Sequence, residues 1–183
     1  KTVRRQRQMC IRDSYNISTK EAIVFDTGTS AEPILECIQA LKLSLKAVFL
    51  THTHRDHVGG FEKLVTVTQT AQTFAPAEEP HAGARSLPPG SKMQLCGFGI
   101  YAVKTSGHTK GALSYIVHGL DLPVVLVGDA LFSLSIGGAK CAYQLALKNN
   151  REQLLSLPSE TILCPGHGPM TSVIEERAHN PFF

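Results

Sequence analysis

A chain of 183 residues with 43% hydrophobic and 18% charged residues has the make-up of one globular domain that can bury a core without disulfide staples, which excludes disorder as its main state. No apolar stretch approaches the roughly 20 residues of a membrane-spanning helix and no apolar signal-peptide core opens the chain, so the expected location is the cytoplasm. The net charge of +3 is local: residues 1–14 carry +4 (Lys1, Arg4, Arg5, Arg7 and Arg12 against Asp13) and the rest carries −1, which argues against a nucleic-acid surface.

Residues 1–14, "KTVRRQRQMCIRDS", have no apolar period and resemble translated sequencing-adapter sequence. They are set aside as a non-native or disordered tail, leaving 15–183 as the folded domain. If native sequence were replaced there, a first strand would be missing.

"EAIVFDTG" (21–28) reads as a strand entering a turn. "SAEPILECIQALKL" then predicts an amphipathic helix with Ser30 as N-cap, Pro33 in the first turn, and Ile34, Leu35, Ile38 and Leu41 on one face. "LKAVFL" (45–50) is a buried strand running into "THTHRDHVGG", which must sit on the loop at its C-terminal end. Gly59 and Gly60 allow close backbone approach and a helix start.

A short helix, a strand near "QTFAP" and a polar stretch with His81 follow. Strands are expected at 98–104, 113–118 and 123–128, then a helix over 143–158 with Leu145, Leu147, Leu154 and Leu155 on its apolar face. "ETILCPGHGP" (160–169) is another strand feeding a Gly/Pro loop, and "SVIEERAH" is a terminal helix. Five scattered cysteines (Cys10, Cys37, Cys96, Cys141, Cys164) without a CxxC pair read as reduced thiols.

Chemistry-bearing side chains recur just after strands: His52, His54, Asp56 and His57, then His108, Asp129 and His167. Imidazole and carboxylate suit borderline divalent metals such as zinc. Seven such ligands exceed one tetrahedral ion, whereas two ions sharing one carboxylate would use them all. His52 and His54, two apart on extended backbone, can point the same way. Asp129, after the apolar run "LPVVLVG", would be a costly buried charge without a partner.

"THTHRDH" resembles the HxHxDH motif of the metallo-β-lactamase fold superfamily, and "SGHTKGALSY", "GDALF" and "PGHGP" resemble its later metal loops in the same order. The resemblance implies an α/β fold, an αββα sandwich of two mixed sheets flanked by helices. It implies one ion on His52, His54 and His108, a second on Asp56, His57 and His167, and Asp129 bridging, with Asp26 supporting the ligands from behind. Zinc is the default, and iron or manganese would accept the same ligands. Lys140 and Tyr143 fall where related thioesterases contact substrate.

The pattern most resembles the glyoxalase II-like (hydroxyacylglutathione hydrolase-like) thioesterase branch. It implies a metal-activated hydroxide attacking a thioester or ester carbonyl of a small molecule, with Asp56 accepting a hydrogen bond from the nucleophile. Hydroxyacylglutathione hydrolases continue into a helical domain beyond "EERAHNPFF", so glutathione is not implied as the thiol. A β-lactamase is disfavoured because its common dinuclear subclasses lack the bridging aspartate. A mononuclear iron persulfide dioxygenase and a non-catalytic metal-binding protein stay open as alternatives.

Overall fold

The structure is a computed structural model that describes residues 2–6, 12–69, 72–139 and 142–183. Its first sheet runs in chain order through β1 (Thr2–Gln6), β2 (Arg12–Asn16), β3 (Glu21–Phe25), β4 (Ser44–Phe49), β5 (Gln72–Pro76) and β6 (Arg85–Leu87). β1 to β3 pair antiparallel and β3 to β6 pair parallel, so the sheet is mixed. Strand geometry therefore extends into the segment expected as a tail.

The second sheet uses β7 (Lys92–Leu95), β8 (Phe98–Lys104), β9 (Leu113–His118), β10 (Val124–Gly128), β13 (Ile162–Pro165) and β14 (Thr171–Ser172), in the order β14-β13-β10-β9-β8-β7. Only β10 and β13 are parallel to each other. A small hairpin, β11 (Leu131–Phe132) with β12 (Ser135–Ile136), follows β10.

Because side chains alternate along a strand, each central strand feeds two layers. Ile23 and Phe25 of β3 point between the sheets, where Phe49, Phe74, Phe98, Leu113 and Tyr115 meet them. Phe49 packs its ring 4.8 Å from Phe74 and 5.3 Å from Tyr115, which joins the two sheets. Ala22 and Val24 point the other way, against Ile34 of α1 (Glu32–Leu41) and Phe61 and Leu64 of α3 (Phe61–Thr68). In the second sheet Val125 and Val127 face Leu154, Leu155 and Val173, the last from α5 (Val173–His179). Helices thus cover both outer faces, and the α/β fold is the expected αββα sandwich.

Three local expectations are corrected. The N-cap of α1 is Ala31 with no side-chain cap bond, although the Ser30 hydroxyl accepts from the Glu32 backbone N–H at 3.3 Å. The helix expected over 143–158 is α4 (Tyr143–Asn149), widening into a π-turn at Asn150–Leu154. Leu145 is 45% exposed while Leu147, Leu154 and Leu155 are buried. Residues two apart lie about 200° apart around an α-helix, so Leu145 and Leu147 cannot share a face.

The glycines after α2 (Arg55–Val58) behave as expected. A Cβ on Gly59 would lie 2.7 Å from Thr29 O, and one on Gly60 2.6 Å from Ala31 N, so the turn that carries His54, Asp56 and His57 can dock on the 27–31 loop only without side chains there. Among the described residues no helix is long and apolar enough to cross a membrane. Cys96 is a half-buried free thiol and Cys37 and Cys164 are buried; Cys10 and Cys141 lie outside the described residues.

Candidate metal centre

Five strands end at one edge of the sandwich, and each delivers a polar residue just beyond its last pair. Asp26 follows β3, His52 to His57 follow β4, His108 lies in the turn after β8, Asp129 follows β10 and His167 follows β13. All seven expected ligands meet there. Their ligating atoms form three overlapping sets, each within 4.8 Å: His52, His54 and His108; His52, His57 and Asp129; Asp56, His57 and His167.

Asp129 occupies the middle. Its Oδ1 lies 3.3 Å from His57 Nε2, and its Oδ2 lies 3.6 Å from both His108 Nε2 and His167 Nε2. His167 Nε2 is also 3.0 Å from Asp56 Oδ2. Burial pushes the Asp129 pKa up, but His57 beside it, with His52 and His167, outweighs burial and holds the carboxyl below its usual range.

Hydrogen bonds behind the rings set which nitrogen faces the cluster. Asp26 Oδ2 lies 2.8 Å from His57 Nδ1, and since a carboxylate accepts, Nδ1–H donates and Nε2 is the nitrogen turned to the cluster. The same Oδ2 accepts from the Thr51 hydroxyl at 2.8 Å, leaving Thr51 Oγ1 to accept from His52 Nδ1 at 3.0 Å. Asp26 Oδ1 accepts from the Thr51 backbone N–H at 2.7 Å. One carboxylate therefore orients two histidines, one directly and one through Thr51.

On the opposite side His108 Nδ1 donates to Gly138 O at 2.9 Å, which aims Nε2 at His54 Nδ1, 3.0 Å away. The His52 Nε2 atom is buried with no hydrogen-bond partner among the described residues, and burial drops its pKa to about 3. A buried lone pair of this kind costs free energy unless an electrophile meets it. A donor set of imidazoles and carboxylates converging on an orphaned nitrogen fits divalent metal ions.

The glycine of the last loop is part of the cradle. A Cβ on Gly166 would lie 2.4 Å from Asp129 Oδ1 and 2.6 Å from His57 Cε1, so only glycine lets the His167 loop close on the cluster.

Sequence reasoning missed three residues here. Thr51 is the relay just described. Asn149 donates through Nδ2 to Ser106 O at 2.7 Å, and Asn150 donates to Ala130 O at 2.8 Å, so the end of α4 ties down the loops of both His108 and Asp129. Nothing in a threonine beside a histidine, or in two asparagines inside a helical pattern, announces these partners, which the fold alone supplies.

The remaining histidines stay apart from the cluster. His81 packs its ring 4.6 Å from Phe61, His118 ends β9 exposed, and His179 lies 3.9 Å from Glu175 on the surface of α5. Tyr143, expected near substrate, opens α4 and is 42% exposed. Lys140 lies outside the described residues.

Known proteins agree with the fold. The sequence profile described as "Metallo-beta-lactamase superfamily" matches residues 9–94. The "Hydroxyacylglutathione hydrolase GloC" of Haemophilus influenzae is 30% identical over 89% of this chain and 87% of its own length. The chain spans less of other relatives, 62% of the "Hydroxyacylglutathione hydrolase" of Erwinia tasmaniensis, which is 31% identical over 86% of this chain. The crystal structure of "BLEG-1 B3 metallo-beta-lactamase" superimposes with a TM-score of 0.87 at 25% identity, covering 100% of this chain and 99% of the other. That of "TTHA1623 in a di-iron-bound form" gives 0.77 at 26% identity, covering 94% and 95%. With the fold, the motif order and a relative aligned along nearly its whole length all in agreement, the chain belongs to the metallo-beta-lactamase superfamily.

Proposed function

We propose that the chain is a dinuclear metal-dependent hydrolase that cleaves a thioester or ester carbonyl of a small molecule, in the manner of glyoxalase II. The observation that carries this reading is the central carboxylate: Asp129 faces His57 with one oxygen and His108 and His167 with the other. The name of the Haemophilus influenzae relative supports the thioester class, and the di-iron-bound form of TTHA1623 supports two ions on this fold.

In this reading His52, His54 and His108 hold one ion, Asp56, His57 and His167 the other, and Asp129 both. Zinc is the expected metal, with iron or manganese compatible with the same donors. When bound, two divalent ions would supply polarisation of the carbonyl and acidification of a water.

The chain's own residues do the positioning. Asp26 holds His57, and Thr51 holds His52, in the tautomers that present Nε2. Asp56, half-buried beside His167, is proposed to accept a hydrogen bond from the attacking water. Gly166 keeps the wall behind Asp129 thin enough for both oxygens to be used. Tyr143 and Lys140 are proposed to contact the substrate beyond the ligands.

The test is a panel of acyl thioesters and esters assayed on protein of measured metal content. The proposal expects two ions per chain and thioester turnover that a chelator abolishes. One iron per chain with sulfur-dependent oxygen uptake would identify a persulfide dioxygenase instead. Hydrolysis of a chromogenic cephalosporin without thioester turnover would favour the β-lactam reading that the 0.87 superposition raises. Bound metal with no turnover on any panel would leave a non-catalytic metal-binding protein.

A further inference from the structure

Beside the metal cluster lies a groove of about 510 Å³, walled by Gly107, His108, Lys110, Gly138, Ala142 and Leu145. His108 is shared: its Nε2 faces His54 and Asp129, and the same residue lines the groove. A molecule whose carbonyl sits at the cluster therefore has this groove next to it, across His108, for whatever is attached to that carbonyl. The volume is in the range that holds a small-molecule ligand.

The walls have a chemical bias. Ala142 and Leu145 make one side apolar, and Leu145 is exposed on a helix whose next leucine is buried. Lys110 is the groove's only lysine, arginine, aspartate or glutamate among the described residues. Glu78 feels its charge, but the ion pair of Glu78 is made with Lys104. An apolar arm that ends in an anion would cover Leu145 and meet Lys110.

We propose that this groove receives the non-reacting arm of the substrate and that Lys110 selects arms bearing a carboxylate. The inference rests on the thioesterase reading for its reaction, and names the substrate class. The carboxylate can belong to the acyl side or to the thiol side of the thioester, and the experiment separates the two.

Two matched pairs of thioesters are assayed on the metal-loaded protein. One pair carries the group on the acyl side (glutaryl against glutaramoyl), the other on the thiol side (the acetyl thioesters of 3-mercaptopropionate and its amide). The expected result is a kcat/KM about fivefold higher for the carboxylate in at least one pair, the size an exposed ion pair supports. That preference disappears in Lys110→Ala, inverts in Lys110→Glu and survives in Lys110→Arg. Unfolding temperature and metal content of each variant check that the fold is retained.

A second readout needs no turnover: 3-(methylthio)propionate and its amide are titrated into metal-free protein and followed by NMR. Tighter binding of the acid that depends on Lys110 supports the inference even if no thioester is hydrolysed, an outcome that would overturn the thioesterase reading alone. Equal turnover and equal binding of acid and amide, in wild type and variants, would overturn the inference and leave the reaction standing.

Discussion

The two sides of the candidate metal centre are built differently. His52 and His57 are buried in the loop and short helix that follow β4 and share Asp26 as a backing group, directly or through Thr51. His108 and His167 come from loops of the second sheet and are more open, His167 with 44% of its side chain exposed. Behind His108 stands a backbone carbonyl rather than a carboxylate. In the proposed reading the buried side is preorganised for an ion and the open side is the one left for substrate. Asp129 joins the two.

The largest effect should follow from cutting that join. Asp129→Ala should lower thioester kcat/KM by more than the about 10- to 100-fold that losing an outer partner costs, because it removes a group facing both sides. Steady-state kinetics on metal-saturated protein measure it. A loss smaller than that of the backing-group variants would break the comparison at its centre.

Asp26→Asn comes next. It should weaken metal affinity about 10- to 100-fold, measured by competition with a chromogenic chelator, because one change unlocks both His57 and His52. Thr51→Val, which releases His52 alone, should stay at the low end of that range, and Thr51→Ser should restore affinity. If Thr51→Val were as damaging as Asp26→Asn, His57 would gain nothing from its direct bond.

The smallest effect is on stability. Burial keeps His52 neutral in the folded metal-free chain down to a pKa of about 3, whereas the unfolded chain protonates it near 6.5. The unfolded state therefore binds more protons between those values. Stability of the metal-free protein should be unaffected by His52 above pH 6.5 and fall as pH drops toward 3. Urea midpoints at about pH 7 and about pH 5, for wild type and His52→Ala, isolate this contribution: the fall should be shallower in the variant.

Sequence reading reached the elements with strong patterns and stopped at those without. β3, β4, β8, β9 and β10 are strands of five to seven mostly apolar residues that leave little choice of conformation. β6, β11, β12 and β14 have two or three residues each, too few for a period, and exist because a neighbouring strand offers a hydrogen-bonded edge. The π-turn after α4 shows the same limit, since its register serves the bonds of Asn149 and Asn150 to the two ligand loops.

The candidate ligands were legible because four loops carrying histidine or aspartate after strands appear together in the order of a known family; His108 or His167 alone would read as an ordinary loop histidine. The backing groups divide. Asp26 could be suspected from its place at the end of a strand, and its positive φ of 57 marks it as locally constrained in the fold. Thr51 could not be suspected, since its role depends on Asp26 and His52 meeting across two loops that sequence separation hides.

The central claim is that Asp129 makes the buried and open sides into one two-metal site. Equilibrium dialysis of metal-free wild type and Asp129→Ala against zinc, followed by metal analysis, tests it most directly. The account predicts two ions per chain in the wild type and no more than one tightly held ion in the variant. Two tightly held ions in Asp129→Ala, or a single ion in the wild type at saturation, would contradict it.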